Sequence, residues 1–403
     1  MLEKISTKNL RVGMYIDKLD VSWVNHPFWK SSFKVESKKE LDTINKSSVK
    51  FAWIDTKKGL SVSDNGINKS DSKTVCSDVK IHEIKPKKVQ KASLVDEMNV
   101  ARKVLDSAKE ATQSMFNEVR MGASVNTDEV APLVDNIYHS VSRNSSALLC
   151  LTQIKSKDDY TYLHSVAVCA LMIALGKQID YQGNFHKLGM SGLLHDIGKM
   201  SIPESVLNKE GKLTEKEFDI IKSHPREGFK ILKEAKDNIC DTARDVCLHH
   251  HERIDGKGYP DGLTAKEISL EAKMGAICDV YDAITSDRCY KKGWEPAESL
   301  KKMASWKKGH FDDQLFRGFV KSVGIYPSGT LVKLRSSRLA IVMEQSEKTL
   351  LLPKIKIFYS CSNKAQIPIK IVELTSSGEM IESIEKPKSW GFSRKFIIDL
   401  IST

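Results

Sequence analysis

Seven of the chain's eleven histidines, at positions 164, 186, 195, 224, 249, 250 and 251, fall within residues 164–251 of a 403-residue chain. Imidazole concentrated in this way beside carboxylates suits metal ligation. In "SGLLHDIGKMSIP" (191–203) an apolar run ends on adjacent His195 and Asp196, with Lys199 one turn beyond the histidine. On a helix such neighbours project about 100° apart, so both reach a cation lying off its end, and a carboxylate can bridge two cations. His224 stands directly before Pro225 in "IKSHPREG", and the proline biases it out of helical geometry at a helix boundary. In "LHHHERIDGKGYP" (248–260) three consecutive imidazoles follow an apolar stretch, and His250 and His251, just before Glu252, could flank a metal from the end of another helix. "GAICDVYDAITSDRCY" (275–290) puts Asp279 and Asp282 one turn apart on an apolar helix. Burying those carboxylates is costly unless cations compensate them.

Imidazole and carboxylate without thiolate suit iron, manganese or zinc better than magnesium or calcium, and the donors outnumber what one ion needs. Two metals are the economical inference. A two-metal site lowers the pKa of a shared water from about 15.7 towards 7 and clamps a phosphoryl oxygen. Phosphoester hydrolysis is therefore the leading reaction type. Lys199 can add positive charge beside the transition state or orient the water. Lone histidines are mostly packed or solvated residues, and His26, His82, His139, His186 and His310 are assigned that ordinary role.

The elements that must position these groups follow from periodicity. Residues 1–60 carry short alternating stretches, "RVGMYIDKLDVSW" and "VKFAWIDTKKG", which read as a small β-rich domain. Residues 61–91 are rich in Ser, Asp, Asn and Lys without apolar periodicity and read as a linker. In the connecting region 92–130, Leu94, Met98, Ala101, Leu105, Ala108, Thr112, Met115 and Val119 form one apolar stripe. Helix 94–119 could pair with its twin in a homodimer or pack on its own domain. Residues 131–330 are predominantly helical, and 331–403 revert to strand-like alternation, a β-containing appendage.

Composition narrows the class further. Hydrophobic residues at 40% and charged residues at 29% describe a globular chain. The longest apolar run, "SVAVCALMIALG" (165–176), falls short of the roughly 20 residues that span a bilayer, so a cytoplasmic protein without a membrane span is expected. Eight scattered cysteines with no CxxC pair call for no disulfide framework. The net charge of +11 favours anionic partners, yet no aromatic-interleaved basic patch points to polymeric nucleic acid.

The motifs "HDIGK", "SHPREG", "HHERIDGKGYP" and "DVYDAITSDRCY", in this order, resemble the HD-GYP phosphodiesterases, a branch of the HD superfamily that hydrolyses cyclic dinucleotides. The resemblance covers about 145–330. "LRVGMYIDKLDVSW", "HPFWKSSF" and "WIDTKKG" look like the small domain often found ahead of bacterial HD-GYP domains. The resemblance implies a predominantly α-helical HD-type catalytic domain. It also implies that His164, His195, Asp196 and Asp279 hold one divalent metal, while Asp196 bridges to a second held by His224, His250 and His251. Iron or manganese are the implied ions, with zinc or nickel as substitutes acquired on purification. Some members bind a third metal through a glutamate four residues before the first histidine. Tyr160 stands there, with Asp158 and Asp159 displaced, so two metals are expected. Lys199, Asp282, Arg288 and Lys291 match positions around the scissile and nucleotide phosphates. Gly258 and Pro260 shape the name-giving loop, and Tyr259 can bear on substrate. The implied activity is hydrolysis of cyclic di-GMP to the linear dinucleotide and onward to GMP. Cyclic GMP-AMP as substrate, a non-catalytic receptor and an HD-type hydrolase of other nucleotides are the alternatives. Nothing in the chain reads as choosing guanine over adenine.

Overall fold

The computed structural model describes residues 2–19, 32–47, 49–60, 90–154, 160–235, 239–286, 293–346 and 349–402. The chain divides into two compact units, Met1–Gln90 and Lys91–Thr403.

In the first unit the alternating stretches form strands β1 (Leu2–Ser6), β2 (Tyr15–Leu19), β3 (Phe33–Lys34) and β4 (Phe51–Asp55), an antiparallel sheet of order β1-β4-β2-β3. Side chains of successive strand residues alternate between faces, so Ile5, Ile16, Ala52 and Ile54 share one core with Met14, Val35 and Ile44. Ile44 comes from a helix that the strand reading passed over, α1 (Lys38–Lys46). Its start is a capping box in "SKKE": Ser37 accepts from the Glu40 amide while Glu40 accepts from the Ser37 amide. Most of "HPFWKSSF" and of the 61–91 stretch lies outside the described residues.

The second unit opens with α2 (Leu94–Arg120), α3 (Ala131–Leu151), α4 (Tyr160–Gln178) and α5 (Phe185–Leu194). It continues through α6 (Glu204–Leu207), α7 (Glu215–Lys222), α8 (His224–Glu234), α9 (Asp241–His249), α10 (Leu270–Thr285), α11 (Pro296–His310) and α12 (Asp313–Val323). Helix α4 is buried continuously from Leu163 to Gly176 and packs against α3, α5, α10 and α12. Each fully buried Val, Leu or Ile on it contributes about 1.5–3 kcal/mol relative to exposure, which makes α4 the axis of the core. By length and composition α4 would also pass as a membrane span, yet 78% of its apolar window is buried inside the protein.

The stripe on α2 is spent within the chain. Its apolar residues join the common core and the helix packs on α3 and α4. Buried Glu97 lies on the same face, accepting from Ser140 Oγ at 2.8 Å and from Arg143 Nε and Nη2 at 2.6 and 2.9 Å on α3. Of the two readings of this stripe, the structure shows packing on the helix's own domain.

The appendage comprises β5 (Leu331–Leu334), β6 (Arg338–Glu344), β7 (Lys354–Ser360), β8 (Ala365–Glu373), α13 (Leu374–Ser377), β9 (Ile381–Ile384) and α14 (Arg394–Ser402). Its antiparallel sheet has the order β8-β7-β6-β5-β9. Alternation serves two cores at once: Leu331, Leu339, Ile341 and Met343 join the helical core with Ile397, Ile398 and Ile401 of α14, while Val332, Leu334, Ala340 and Val342 form a second cluster.

Candidate metal centre and cleft

Two glycines let the pieces of the site meet. Helix α5 ends at Leu194, and His195 and Asp196 lead into a 3-10 turn, Ile197–Ser201. A Cβ on Gly198 would lie 1.9 Å from the His224 carbonyl oxygen and 2.4 Å from the Gly228 nitrogen. Only glycine permits that backbone-to-backbone approach. "HDIGK" and "SHPREG" are thus pressed together through their glycines, with His224 at the first turn of α8.

Asp196 sits at the centre, 1% exposed. Its Oδ2 is 3.4 Å from His164 Nε2 and 3.3 Å from His195 Nε2, while its Oδ1 is 3.2 Å from His224 Nε2 and 3.8 Å from His250 Nε2. One carboxylate therefore faces two donor sets with its two oxygens. In each set, His164, His195 and Asp196, or His224, His250 and His251, the potential ligand atoms lie within 4.8 Å of one another. Asp279 on α10 adds Oδ1 at 3.0 Å from His164 Nε2 and Oδ2 at 3.7 Å from His251 Nδ1.

Each ring is aimed from behind. Nδ1 of His195 donates to the Gly192 carbonyl at 2.8 Å, that of His224 to Ile221 at 2.7 Å, and that of His250 to Val246 and Cys247 at 3.0 Å. His164 Nδ1 donates to Asp282 Oδ2 at 2.6 Å. Fixing the proton on Nδ1 leaves Nε2 as the lone-pair donor. Asp282, expected among the groups around the phosphates, stands behind His164 with its carboxylate on Nδ1. Lys199 Nζ donates to Asp196 Oδ2.

Electrostatics separate the groups. Burial raises the carboxyl of Asp196, but Lys199 and the His195 and His164 rings outweigh it and hold it well below the usual range. Asp279 likewise lies well below, because His164, His251 and His195 overcome burial. Burial opposes protonation of His164, yet Asp196, Asp279 and Asp282 raise it to about 9. Burial and neighbouring imidazoles push His250 well down, and burial takes His251 down to about 3 despite Asp279. His250 and His251 are thus neutral and able to ligate.

The donor set fits divalent cations. The buried atoms His164 Nε2, His195 Nε2 and Asp196 Oδ1 have no hydrogen-bond partner, a costly condition for polar atoms away from water. A cation in each donor set would satisfy them, one on the His164 and His195 side and one where Asp196 Oδ1 faces His224 and His250.

The centre opens into a cleft of about 720 Å³ lined by Lys199, His224, His251, Asp279 and Tyr259 among others. Tyr259 stacks on His251, centroids 4.7 Å apart. Tyr160, at the position of the third-metal glutamate, stacks on His164 at 5.5 Å and 11°. Arg288, Lys291, Asp158 and Asp159 lie outside the described residues. Sequence reasoning missed Glu252, buried at 3% exposure. Its carboxylate accepts from the backbone amides of Asp261, Gly262 and Leu263 at 2.7–3.0 Å and so shapes the loop bearing Tyr259. It missed as well that His249 turns away from the centre, to Asp245 at 2.7 Å and Asp261 at 3.3 Å. His186, given an ordinary role, pairs with Asp135 at 2.7 Å.

The family described as "HD domain" matches residues 134–315, and "Domain of unknown function (DUF3391)" matches 2–130. Over 396 residues the chain is 45% identical to the cyclic di-GMP phosphodiesterase PA4108 of Pseudomonas aeruginosa, covering 97% of this chain and 94% of that protein. The chain belongs to the HD-GYP phosphodiesterase family. Other relatives match over shorter stretches. The cyclic di-GMP phosphodiesterase response regulator RpfG of Xanthomonas campestris pv. campestris is 44% identical over 32% of this chain and 35% of its own length. The 3'3'-cGAMP-specific phosphodiesterase 2 of Vibrio cholerae is 37% identical over 30% of this chain and 23% of its own length.

Proposed function

We propose that this HD-GYP protein hydrolyses cyclic di-GMP, opening the ring to the linear dinucleotide, with iron or manganese as the native metals. The observation that carries this reading is Asp196, whose two oxygens each face a separate imidazole set. His164, His195, Asp196 and Asp279 would hold one cation, and Asp196, His224, His250 and His251 the other. Bound there, two divalent cations supply Lewis acidity and a water of lowered pKa.

The chain's own residues do the rest. Asp282 holds the His164 proton on Nδ1. Lys199, at the junction of Asp196 and the cleft, neutralises charge on the scissile phosphate. Tyr259, resting on His251, closes one side of the centre against bulk water. Arg288 and Lys291 are proposed as phosphate contacts on their sequence positions. The cyclic di-GMP activity named for the Pseudomonas relative, which matches nearly the whole chain, favours that substrate over cyclic GMP-AMP.

The test is turnover by protein loaded anaerobically with iron(II) or manganese, with products separated by chromatography. Cyclic di-GMP should be consumed, cyclic GMP-AMP more slowly, and Asp196→Ala should fall at least about 1,000-fold because it removes an oxygen from both donor sets. Tight binding without turnover under either metal would overturn the reading in favour of a receptor.

A further inference from the structure

The cleft contains a carboxylate that neither the metal centre nor phosphate chemistry uses. Glu210 lines the same cavity as Lys199, His224 and Asp279. It is exposed and makes no hydrogen bond or ion pair among the described residues. Asp279, the other carboxylate in the lining, belongs to the metal centre. A negative group in a cleft that receives a phosphodiester repels its ligand unless it meets hydrogen-bond donors, since a carboxylate only accepts.

The wall carrying Glu210 has other features of a base site. Phe218, midway along α7, lines the cavity and is 46% exposed, with Lys222 Nζ 4.7 Å from the centre of its ring. The segment between α6 and α7 is pinned by Lys209 Nζ, which donates to both Glu217 oxygens at 2.8 and 2.7 Å, while Glu217 also closes the capping box on Thr214. Glu210 and Phe218 are thus presented on a braced wall.

We propose that this wall is the base-reading subsite of the cleft, with Phe218 stacking on a nucleobase and Glu210 selecting guanine. Guanine presents N1–H and the N2 amine side by side, two parallel donors that match two carboxylate oxygens. Adenine presents N1 as an acceptor there, so its lone pair would face the carboxylate. Discrimination arises because guanine offers the carboxylate two donors where adenine sets a lone pair against it. The inference rests on the cyclic dinucleotide reading and names the residue that decides its base, a choice no stretch of the sequence discloses.

Metal-loaded protein and the variants Glu210→Ala, Glu210→Gln and Phe218→Ala are compared on cyclic di-GMP, cyclic di-IMP and cyclic di-AMP. Cyclic di-IMP keeps N1–H and lacks the N2 amine. Glu210→Ala should raise KM for cyclic di-GMP about 10-fold with kcat retained, in line with a charged hydrogen bond at an exposed position. The wild-type preference for cyclic di-GMP over cyclic di-IMP should vanish in it, with Glu210→Gln intermediate. Phe218→Ala should raise KM for all three ligands alike, by about 10-fold. Bis(p-nitrophenyl) phosphate, which has no base edge, should be turned over equally by wild type and both Glu210 variants. An unchanged preference between cyclic di-GMP and cyclic di-IMP in Glu210→Ala overturns the inference, as does a Phe218→Ala KM equal to wild type. A protein that turns over no diester refutes the proposed function instead, and calorimetric binding of the same three ligands then still reads the base preference.

Discussion

The two donor sets share Asp196 but sit in opposite surroundings. Around His164 and His195 the neighbours are carboxylates: Asp196, Asp279 and, behind the ring, Asp282. Around Asp196 Oδ1 stand three imidazoles, His224, His250 and His251, whose mutual repulsion and burial keep His250 and His251 neutral. The imidazoles of the first set, His164 and His195, are fully buried and only its Asp279 reaches the cleft, which His224 and His251 of the second set also line. A shared carboxylate thus serves a hard, anionic pocket on one side and a nitrogen-rich, substrate-facing pocket on the other.

The strongest way to break that contrast is to remove the support of one set alone. Asp282→Asn keeps the shape but weakens the acceptor on His164 Nδ1, and losing such support typically costs 10- to 100-fold in metal affinity or activity. We expect about that loss in turnover. Under chelator titration, metal analysis should show one equivalent leaving early while the His224 side keeps its own. Simultaneous loss of both equivalents would mean that the sets are not separable.

A smaller effect is expected at the seam between them. Gly198→Ala forces a methyl against the His224 carbonyl, and overpacking of this kind costs about 1–3 kcal/mol. The melting temperature should fall by several degrees, and turnover should drop as the His224 side is displaced from Asp196.

The subtlest difference is in protons. His164 rises to about 9 in protein stripped of metal, so its protonation supports folding fully below about 6.5 and is lost as pH climbs through 9. Stripped protein should lose thermal stability between pH 6.5 and 9, and the metal-loaded form should lose less. Loading the carboxylate-rich side at pH 8 should release a proton, read by calorimetry in buffers of different ionisation enthalpy. Loading the other side should release none from His250 or His251.

What could be read beforehand divides along similar lines. The helical catalytic domain flanked by two β-containing parts was legible, because binary patterning follows each element's period. The imidazoles and carboxylates that the fold brings together could be named because "HDIGK" and "HHERIDGKGYP" pack such side chains into short stretches. The role of Asp282 was not legible, since its partner His164 lies 118 positions away and nothing local distinguishes a carboxylate behind an imidazole from one in front. The fate of the α2 stripe was equally open until α3 was seen to cover it, with Glu97 ion-paired at the contact. The helix after Ser37, by contrast, had an overlooked local signature in its capping box. In β7, Lys356 interrupts an apolar alternation yet is buried, its ammonium donating to the Leu400 carbonyl at 2.7 Å. A partner 44 residues downstream cannot be inferred from a strand's own pattern.

The crossing of Gly198 and Gly228 sets a mechanical limit on the enzyme. Main chain rests on main chain there, so the gap between the two halves is gauged by covalent geometry and not by rotamers that could swing aside. The spacing of the catalytic apparatus is consequently among the least adjustable dimensions of the molecule, and variation in substrate preference has to come from the cleft's rim.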